Sequence, residues 1–437
     1  MSRRRIVVTG WGTVTPHADD VDRLFDRVSE GVCAIDTITQ FDPSHLPSTV
    51  AAEVTYDVAA PERVGPFPST SRTMRFAVRA ALSAMADAGL ETPAPDDWRT
   101  RSRRAVQLST GVGSTAMEAY GPTTLRAWGA PPEKAVRKPD MQAFRSLALT
   151  DPASRKLEEW FCDFAAPALG VLFGADRIAT AASACASGSH SLFDAVHTIR
   201  SGRADVVLTG GVCTPITRSM MPGFALLSAL TTNPDPATAA RPFDADRDGF
   251  IMAEGASLLV LEDEEHARAR GARIHGEILG VGIATDAHAL TAPLATGRGM
   301  ADAMKGAMAD AGRSASDVSY VNAHGTSTPL NDAAETIAIK TALGEDVARR
   351  TPVSSTKSMF GHLIHAAGVT EALVCLQAIK RNVAPPTINF HTRDPKCDLD
   401  YVPNEAREVP VTTALNNSFG FGGQNVSVLL GGYEGSL

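Results

Sequence analysis

The stretch Asp176–Gly211, DRIATAASACASGSHSLFDAVHTIRSGRADVVLTGG, decides how the chain is read. Arg177 to Ala182 is a short β-like run, and the small residues Ser183-Ala184-Cys185-Ala186-Ser187-Gly188 follow it. Leu192, Val196 and Ile199 then recur at helical spacing, and Gly202 supplies a C-terminal stop. Val206 to Leu208 is a buried-type strand ending in Gly210-Gly211. The pattern is strand, sharp turn, helix, strand, with Cys185 where the first strand ends and the helix begins. Unpaired N–H groups and the positive end of the helix dipole lie there, so a lowered thiol pKa is expected. Small neighbours leave room for a substrate at the sulfur. Taken alone, the same pattern also suits an inert cysteine buried in a βαβ unit.

The chain has 437 residues, which predicts two domains or two fused halves. It is 44% hydrophobic and 21% charged, a globular balance. The net charge of −8 argues against nucleic acid as the main partner. The six cysteines (33, 162, 185, 213, 375, 397) are scattered without a CxxC, as expected of reduced thiols and not of a disulfide framework or zinc site. MSRRRIVVTGWGTVTP reads as a first strand and not a signal peptide, and no apolar run approaches a membrane span. The expected compartment is the cytoplasm.

Outward from the cysteine unit, strands alternate with helices on both sides. Before it stand a strand over Arg5–Thr9, a helix over Asp20–Ser29, a Pro/Ser/Thr-rich loop over 36–70, an Ala-rich helix over Ser71–Ala88 and a strand over Ala105–Ser109. Residues 115–170 are broken by Pro131-Pro132, Pro139 and Pro152 and read as an excursion from the core, with a helix over Leu157–Phe164. After the unit come a strand over Ala256–Glu262, a strand over Ile274–Val281, a helix over Gly299–Ala311, a strand over Val318–Ala323 and a helix over Asp332–Leu343. A strand at Val353–Ser355, a helix over Ala366–Arg381 and strands near 413–416 and 426–430 close the chain. This order predicts parallel-sheet α/β layers, and its repetition an internal duplication, with halves at 1–262 and 263–437.

Three more segments carry candidate chemistry. VNAHGTSTP puts His324 at the carboxyl end of a strand, where α/β folds place ligands. SSTKSMFGH puts Lys357 and His362 at another strand end. The small, uncharged neighbours of Lys357 predict burial, and Glu371 is the nearest partner in sequence. NNSFGFGGQN has no helix after it and so fails as a dinucleotide fingerprint; it reads as a flexible loop carrying one bulky gate, Phe421. His362-x-x-His365 is too weak a metal pair without a further ligand nearby. Asp244-x-Asp246-x-Asp248-Gly249 mimics a calcium loop, but its bidentate Glu falls one residue short, at 254, so it reads as structural. No GxxxxGK[ST] and no GxSxG are present.

SACASG around Cys185, RPFDADRDGF at 241–250, VNAHGTSTP, SSTKSMFGH and NNSFGFGG stand in one order over nearly the whole chain. In this the sequence resembles the elongating β-ketoacyl-acyl-carrier-protein synthases of the thiolase superfamily. The resemblance implies two thiolase-like βαβαβ halves layered α-β-α-β-α, forming a homodimer or a heterodimer with a chain-length factor. It implies that Cys185 takes an acyl group from a carrier-protein phosphopantetheine arm and condenses it with malonyl-carrier protein, with loss of CO2. His324 and His362 would stabilise the enolate, and the N–H groups of Cys185 and Phe421 would form an oxyanion hole. Lys357, Glu371, Asp332 and Glu335 would support the site, Phe421 would gate it, and Val112, Phe224 and Thr291 would line the acyl pocket. No metal or separate cofactor is implied.

The chain departs from that pattern at Ser183, at Gln424, at Ser228 where relatives carry a basic docking residue, and over 115–170. These departures favour polyketide-type metabolism over housekeeping fatty acid synthesis. The competing classes are a chain-length partner lacking the nucleophile, a degradative thiolase with a second late cysteine, and a cysteine hydrolase. The intact Cys, His, His set opposes the first, the cysteine-free last loop with the two histidines the second, and the gate loop with its apolar surroundings the third.

Overall fold

A computed structural model describes residues 3–111 and 164–433, together with 142, 145, 146 and 435. Val112, most of the 115–170 excursion and most of the helix expected over Leu157–Phe164 therefore lie outside the described residues.

Ten strands form one mixed sheet: β1 (Ile6–Val14), β2 (Arg104–Thr110), β3 (Arg177–Ala181), β4 (Val206–Cys213), β5 (Gly255–Asp263), β6 (Gly276–Thr285), β7 (Tyr320–Asn322), β8 (Val353–Ser354), β9 (Thr413–Gly420) and β10 (Gln424–Gly431). Their spatial order is β8-β7-β9-β10-β6-β1-β5-β4-β2-β3. Counted outward from the antiparallel β1–β6 seam, the first five strands run 1-5-4-2-3, and the last five repeat that order. The senses match as well: two antiparallel pairings, then two parallel ones, on each side.

The repetition extends to single residues. Helix α1 (Arg72–Asp87) packs on β1, where a Cβ added at Gly10 or Gly12 would come within 2.2 and 2.1 Å of the Ala84 and Ala80 carbonyls. On β6, a Cβ added at Gly280 or Gly282 would likewise come within 2.2 and 2.1 Å of the carbonyls of Ala307 and Ala303 in α3 (Arg298–Ala311). Each strand also breaks register just before the first of these glycines, between Val8 and Gly10 and between Ile278 and Gly280. Glycine on the strand and alanine on the helix are what allow such close contact.

Helix α2 (Ser187–Arg200) and helix α5 (Ala367–Arg381) fill the space between the two five-stranded sets. Alternation along each strand divides the core accordingly. On β5, Leu259 and Leu261 join Leu192, Val196, Leu373 and Leu376 in the middle, while Leu258 and Val260 face α1. Leu429 of β10 faces α3 and α4 (Pro329–Leu343), and its neighbours Val428 and Leu430 face the middle. β1, β4 and β5 are buried along their whole length on both faces, hence their continuous apolar runs, whereas the edge strand β3 is exposed over Arg177–Thr180. The layers are α1, sheet, α2 with α5, sheet, α3. The loop over 36–70 contains two short hairpins, Asp36–Thr37 with Val50–Ala51 and Arg63–Val64 with Phe67–Pro68.

Candidate active site

Cys185 lies in a short 3-10 turn, Ala184–Ala186, between β3 and α2. Ala184 has φ +49°, a left-handed conformation unusual for a residue with a Cβ. The Ser187 hydroxyl donates to the Ala184 carbonyl at 2.6 Å and accepts the Ser183 N–H at 2.8 Å, which fastens the turn on both sides. Gly420 allows the last loop to approach, since a Cβ there would meet the Ser183 carbonyl at 2.7 Å and the Cys185 nitrogen at 3.0 Å.

His324 follows β7. The Glu335 carboxylate on α4 accepts the N–H groups of His324 and Gly325, each at 2.8 Å, and so fixes the loop that carries the ring. Burial pushes Glu335 up to about 7, against the pull of those N–H groups. Asp332, also buried, accepts the Phe243 N–H at 2.8 Å and faces Arg247; it secures the 241–250 loop and does not touch the imidazole. Asp244 and Asp248 serve the same loop. Asp244 accepts the His391 and Thr392 N–H groups, and Asp248 accepts from the Thr231 hydroxyl and the Thr232 N–H.

His362 follows β8. Its Nδ1 accepts the Ile364 N–H at 3.3 Å, which leaves the ring proton on Nε2. That Nε2 finds no partner among the described residues, nor does His324 Nδ1. The two rings stand 5.3 Å apart, nearly perpendicular, with Phe250 edge-on to His362 and Phe419 edge-on to His324. Burial lowers both imidazoles well below the usual range, and the Lys357 charge lowers them further. The rings are neutral hydrogen-bonding groups at physiological pH.

These pieces meet at one point. Cys185 Sγ and a nitrogen from each imidazole lie within 4.8 Å of one another, all three residues buried. The N–H groups of Phe421 and Cys185 itself hydrogen-bond the sulfur. The expected lowering of the thiol pKa is corrected here: burial pushes Cys185 up to about 11, and Lys357 with the two N–H groups offsets only part of that. Cys185 precedes α2 in a separate turn and is almost fully enclosed, so desolvation of the thiolate outweighs the helix terminus. Lys357 is buried and bonded to Glu371, whose carboxyl burial raises to about 7. Cys, His and His are donors that suit zinc, but the Lys357 charge acts on all three and opposes a cation.

The cluster sits at the inner end of a cavity of about 330 Å³. Thr291, Thr326, Thr328, Leu227, Leu330 and Phe421 also line it. Phe224 does not; it packs edge-on behind Phe250. Val112 lies outside the described residues. The last loop has positive φ at Gly422 and Gly423, and its conformation is tied to residues 286–294. Gly422 N–H donates to the Leu290 carbonyl at 2.7 Å, Asp286 N–H donates to the Gly423 carbonyl at 2.9 Å, and the Asp286 carboxylate accepts from Asn425 Nδ2 at 2.9 Å. Sequence reasoning did not single out Asp286 or Ser187. Both are ordinary loop and helix residues by type, and only the fold gives them partners distant in sequence.

Two family models match the chain: "Beta-ketoacyl synthase, N-terminal domain" over residues 3–267 and "Beta-ketoacyl synthase, C-terminal domain" over 275–391. A "Putative polyketide beta-ketoacyl synthase 1" from Streptomyces halstedii is 39% identical, with 99% of each chain covered. A "3-oxoacyl-[acyl-carrier-protein] synthase 2" from Staphylococcus aureus (strain COL) is 38% identical, again over 99% of each. Among solved structures, a type II polyketide synthase acyl-carrier protein in complex with its ketosynthase, "AntDE:AntF", aligns with TM-score 0.83 and 31% identity over 99% of this chain and 100% of the other. "The ishigamide ketosynthase/chain length factor" aligns with TM-score 0.83 and 33% identity at the same coverage. The chain belongs to the β-ketoacyl synthase family, and it is an acyltransferase-class condensing enzyme with the thiolase-like fold.

Proposed function

We propose that Cys185 accepts an acyl group as a thioester and that His324 and His362 drive its decarboxylative condensation with malonyl-carrier protein. The observation that carries this reading is the convergence of one sulfur and two imidazole nitrogens within 4.8 Å at the end of a cavity.

In the first half-reaction the Cys185 sulfur attacks the acyl-pantetheine carbonyl. The Cys185–acyl bond forms, the bond to the pantetheine sulfur breaks, and the thiol proton passes to the departing pantetheine thiolate. The N–H groups of Cys185 and Phe421 are placed to hold the oxyanion. In the second half-reaction malonyl-carrier protein loses CO2, and the electron pair of the broken bond moves into an enolate. A hydrogen bond from His362 Nε2–H, with His324 beside it, suits the enolate oxygen. The carbanion then attacks the acyl carbonyl, the Cys185–acyl bond breaks, and Sγ departs as a thiolate that takes its proton from water. Neutral imidazoles suit this role, because hydrogen-bond donation is required and not proton removal. Lys357, paired with Glu371, supplies positive potential beneath the sulfur and the rings. Phe421, on two glycines with positive φ, separates the two loading states.

The phosphopantetheine arm arrives with the acyl carrier protein and is substrate, not resident cofactor. The carrier complex seen for one structural neighbour supports that partner, and the ketosynthase/chain length factor neighbour supports a heterodimer beside the homodimer. Residues 1–262 and 263–437 are read as the two halves, a division the repeated strand order supports. The Ser183, Ser228 and Gln424 departures favour a polyketide pathway. No helix among the described residues is long and apolar enough to cross a membrane. The free thiols at Cys33, Cys185, Cys213, Cys375 and Cys397 fit a reducing cytoplasm.

Intact-mass analysis tests the scheme. Acyl-carrier protein alone should add one acyl group at Cys185, and β-ketoacyl product should form only after malonyl-carrier protein is supplied. Cys185→Ala should lose both signals. Acylation elsewhere, or release to water without condensation, would refute the assignment.

A further inference from the structure

His362 and His365 leave the same short segment, yet only His362 lines the cavity. The other imidazole lies against the N-terminal five strands, where glycines make room for it. A Cβ on Gly111, just past β2, would lie 2.8 Å from His365 Cδ2. A Cβ on Gly188 or Gly211 would lie 2.8 or 2.2 Å from the His365 carbonyl oxygen. In that socket His365 Nδ1 stands 3.1 Å from Ser187 Oγ.

The hydrogen bonds of Ser187 assign the roles. Its single hydroxyl proton goes to the Ala184 carbonyl, and one acceptor site takes the Ser183 N–H. Only an acceptor site is left for the ring, so Nδ1 carries the proton and donates. Burial lowers His365 to about 4, so the ring is neutral under ordinary conditions and holds one proton to place. The oxygen it binds spans the left-handed Ala184, the residue immediately before Cys185. Such a conformation persists only when its surroundings over-determine it.

We propose that His365 is a positioning residue for the nucleophile: through Ser187 it locks the Ser183–Ala184 turn that aims Cys185 Sγ at His324 and His362. The inference rests on the reading of Cys185 as acyl acceptor. It makes a histidine from the C-terminal half part of the mounting of a cysteine from the N-terminal half. The two partial reactions should then separate. Acyl transfer needs the sulfur in place; decarboxylation of malonyl-carrier protein needs only the two imidazoles facing the cavity.

The test compares His365→Ala, His365→Asn and Ser187→Ala, each with the full chain. Asn offers an N–H at the δ position. His365→Ala should acylate Cys185 roughly tenfold more slowly, the effect of one neutral hydrogen bond on a rate. Malonyl decarboxylation should stay within about twofold of wild type, since this contact does not touch the imidazoles that serve it. Asn should restore most of the acylation rate, and His365→Ala should add little to Ser187→Ala. Wild-type acylation rate in His365→Ala overturns the proposal, as do an Asn variant as slow as Ala or decarboxylation falling in step with acylation. If His365→Ala does not fold, the Asn and Ser187→Ala rates decide by the same criteria. Absence of acylation at Cys185 in the wild type would instead refute the parent reading.

Discussion

The β3–α2 and β8–α5 junctions occupy equivalent places in two five-stranded sets of identical order, yet they are built from different chemistry. The first is a turn of small residues held by one hydroxyl, that of Ser187, which accepts the Ser183 N–H and donates to the Ala184 carbonyl beside Cys185. The second contains a buried ammonium and carboxylate, Lys357 and Glu371, beneath His362. The glycine contacts that seat β1 on α1 and β6 on α3 agree to about 0.1 Å. Scaffold geometry has therefore been kept while the buried charge of the two junctions stands in the second alone. A second contrast lies at the far end of the same strands. In the N-terminal set, Thr9 bonds buried Glu262, which also holds Arg270 and His266. At the corresponding bulge of the C-terminal set, Leu279 covers Gly431.

The largest expected effect comes from breaking the buried pair. Lys357→Met leaves Glu371 buried without its partner and should destabilise the protein by about 3–5 kcal/mol. Lys357→Met with Glu371→Leu should recover most of the denaturation midpoint but not condensation. Recovery of both would mean that the charge in the second junction is scaffold and not machinery.

Acid should find the other asymmetry. Burial pushes Glu262 up, but the bonds from Arg270, His266 and Thr9 outweigh it and hold the carboxyl at about 2 against 4.5. The folded state thus binds this proton less readily than the unfolded chain. The stabilisation is present above about pH 4.5 and lost as the pH falls toward 2, up to roughly 3 kcal/mol. Melting temperatures across that range should fall less steeply in Glu262→Gln than in wild type. Parallel curves would remove Glu262 from the account.

The smallest effects test the equivalence itself. Gly10→Ala and Gly280→Ala each drive a methyl group into a helix carbonyl and should cost about 1–3 kcal/mol. The two costs should agree to within roughly 1 kcal/mol. A large difference in denaturation midpoint would show that the matching geometry hides unequal freedom to relax.

Most of the alternation of strands and helices was legible because each element announces itself locally. Leu192, Val196 and Ile199 mark α2 and Ser71 caps α1, but glycine misplaced strand ends: β4 runs through Gly210-Gly211 to Cys213, because those glycines sit within the strand. Strand order was less accessible. It depends on pairings such as Val8 with Leu261 and Ile278 with Leu430, which no local pattern encodes. The candidate site was readable where small residues and histidines follow strands. Its electrostatics were not, since a helix-terminus argument cannot measure how completely Cys185 is shut from water. His365 was weighed against His362 as a metal pair because spacing alone does not say that the two rings point apart. The calcium-like run fails locally, by one residue of ligand spacing, whereas the loop ties that Asp244 and Asp248 make, to His391 and Thr231, could not be read from it.

The β1–β6 seam has an evolutionary corollary. Two identical half-length polypeptides meeting there would be bound to carry the same side chain twice, giving two thiols or two imidazole pairs around one chamber. Covalent continuity between the copies removes that obligation. Each can mutate without its mirror position following, and a sulfur can face imidazoles across an axis that only the backbone still obeys.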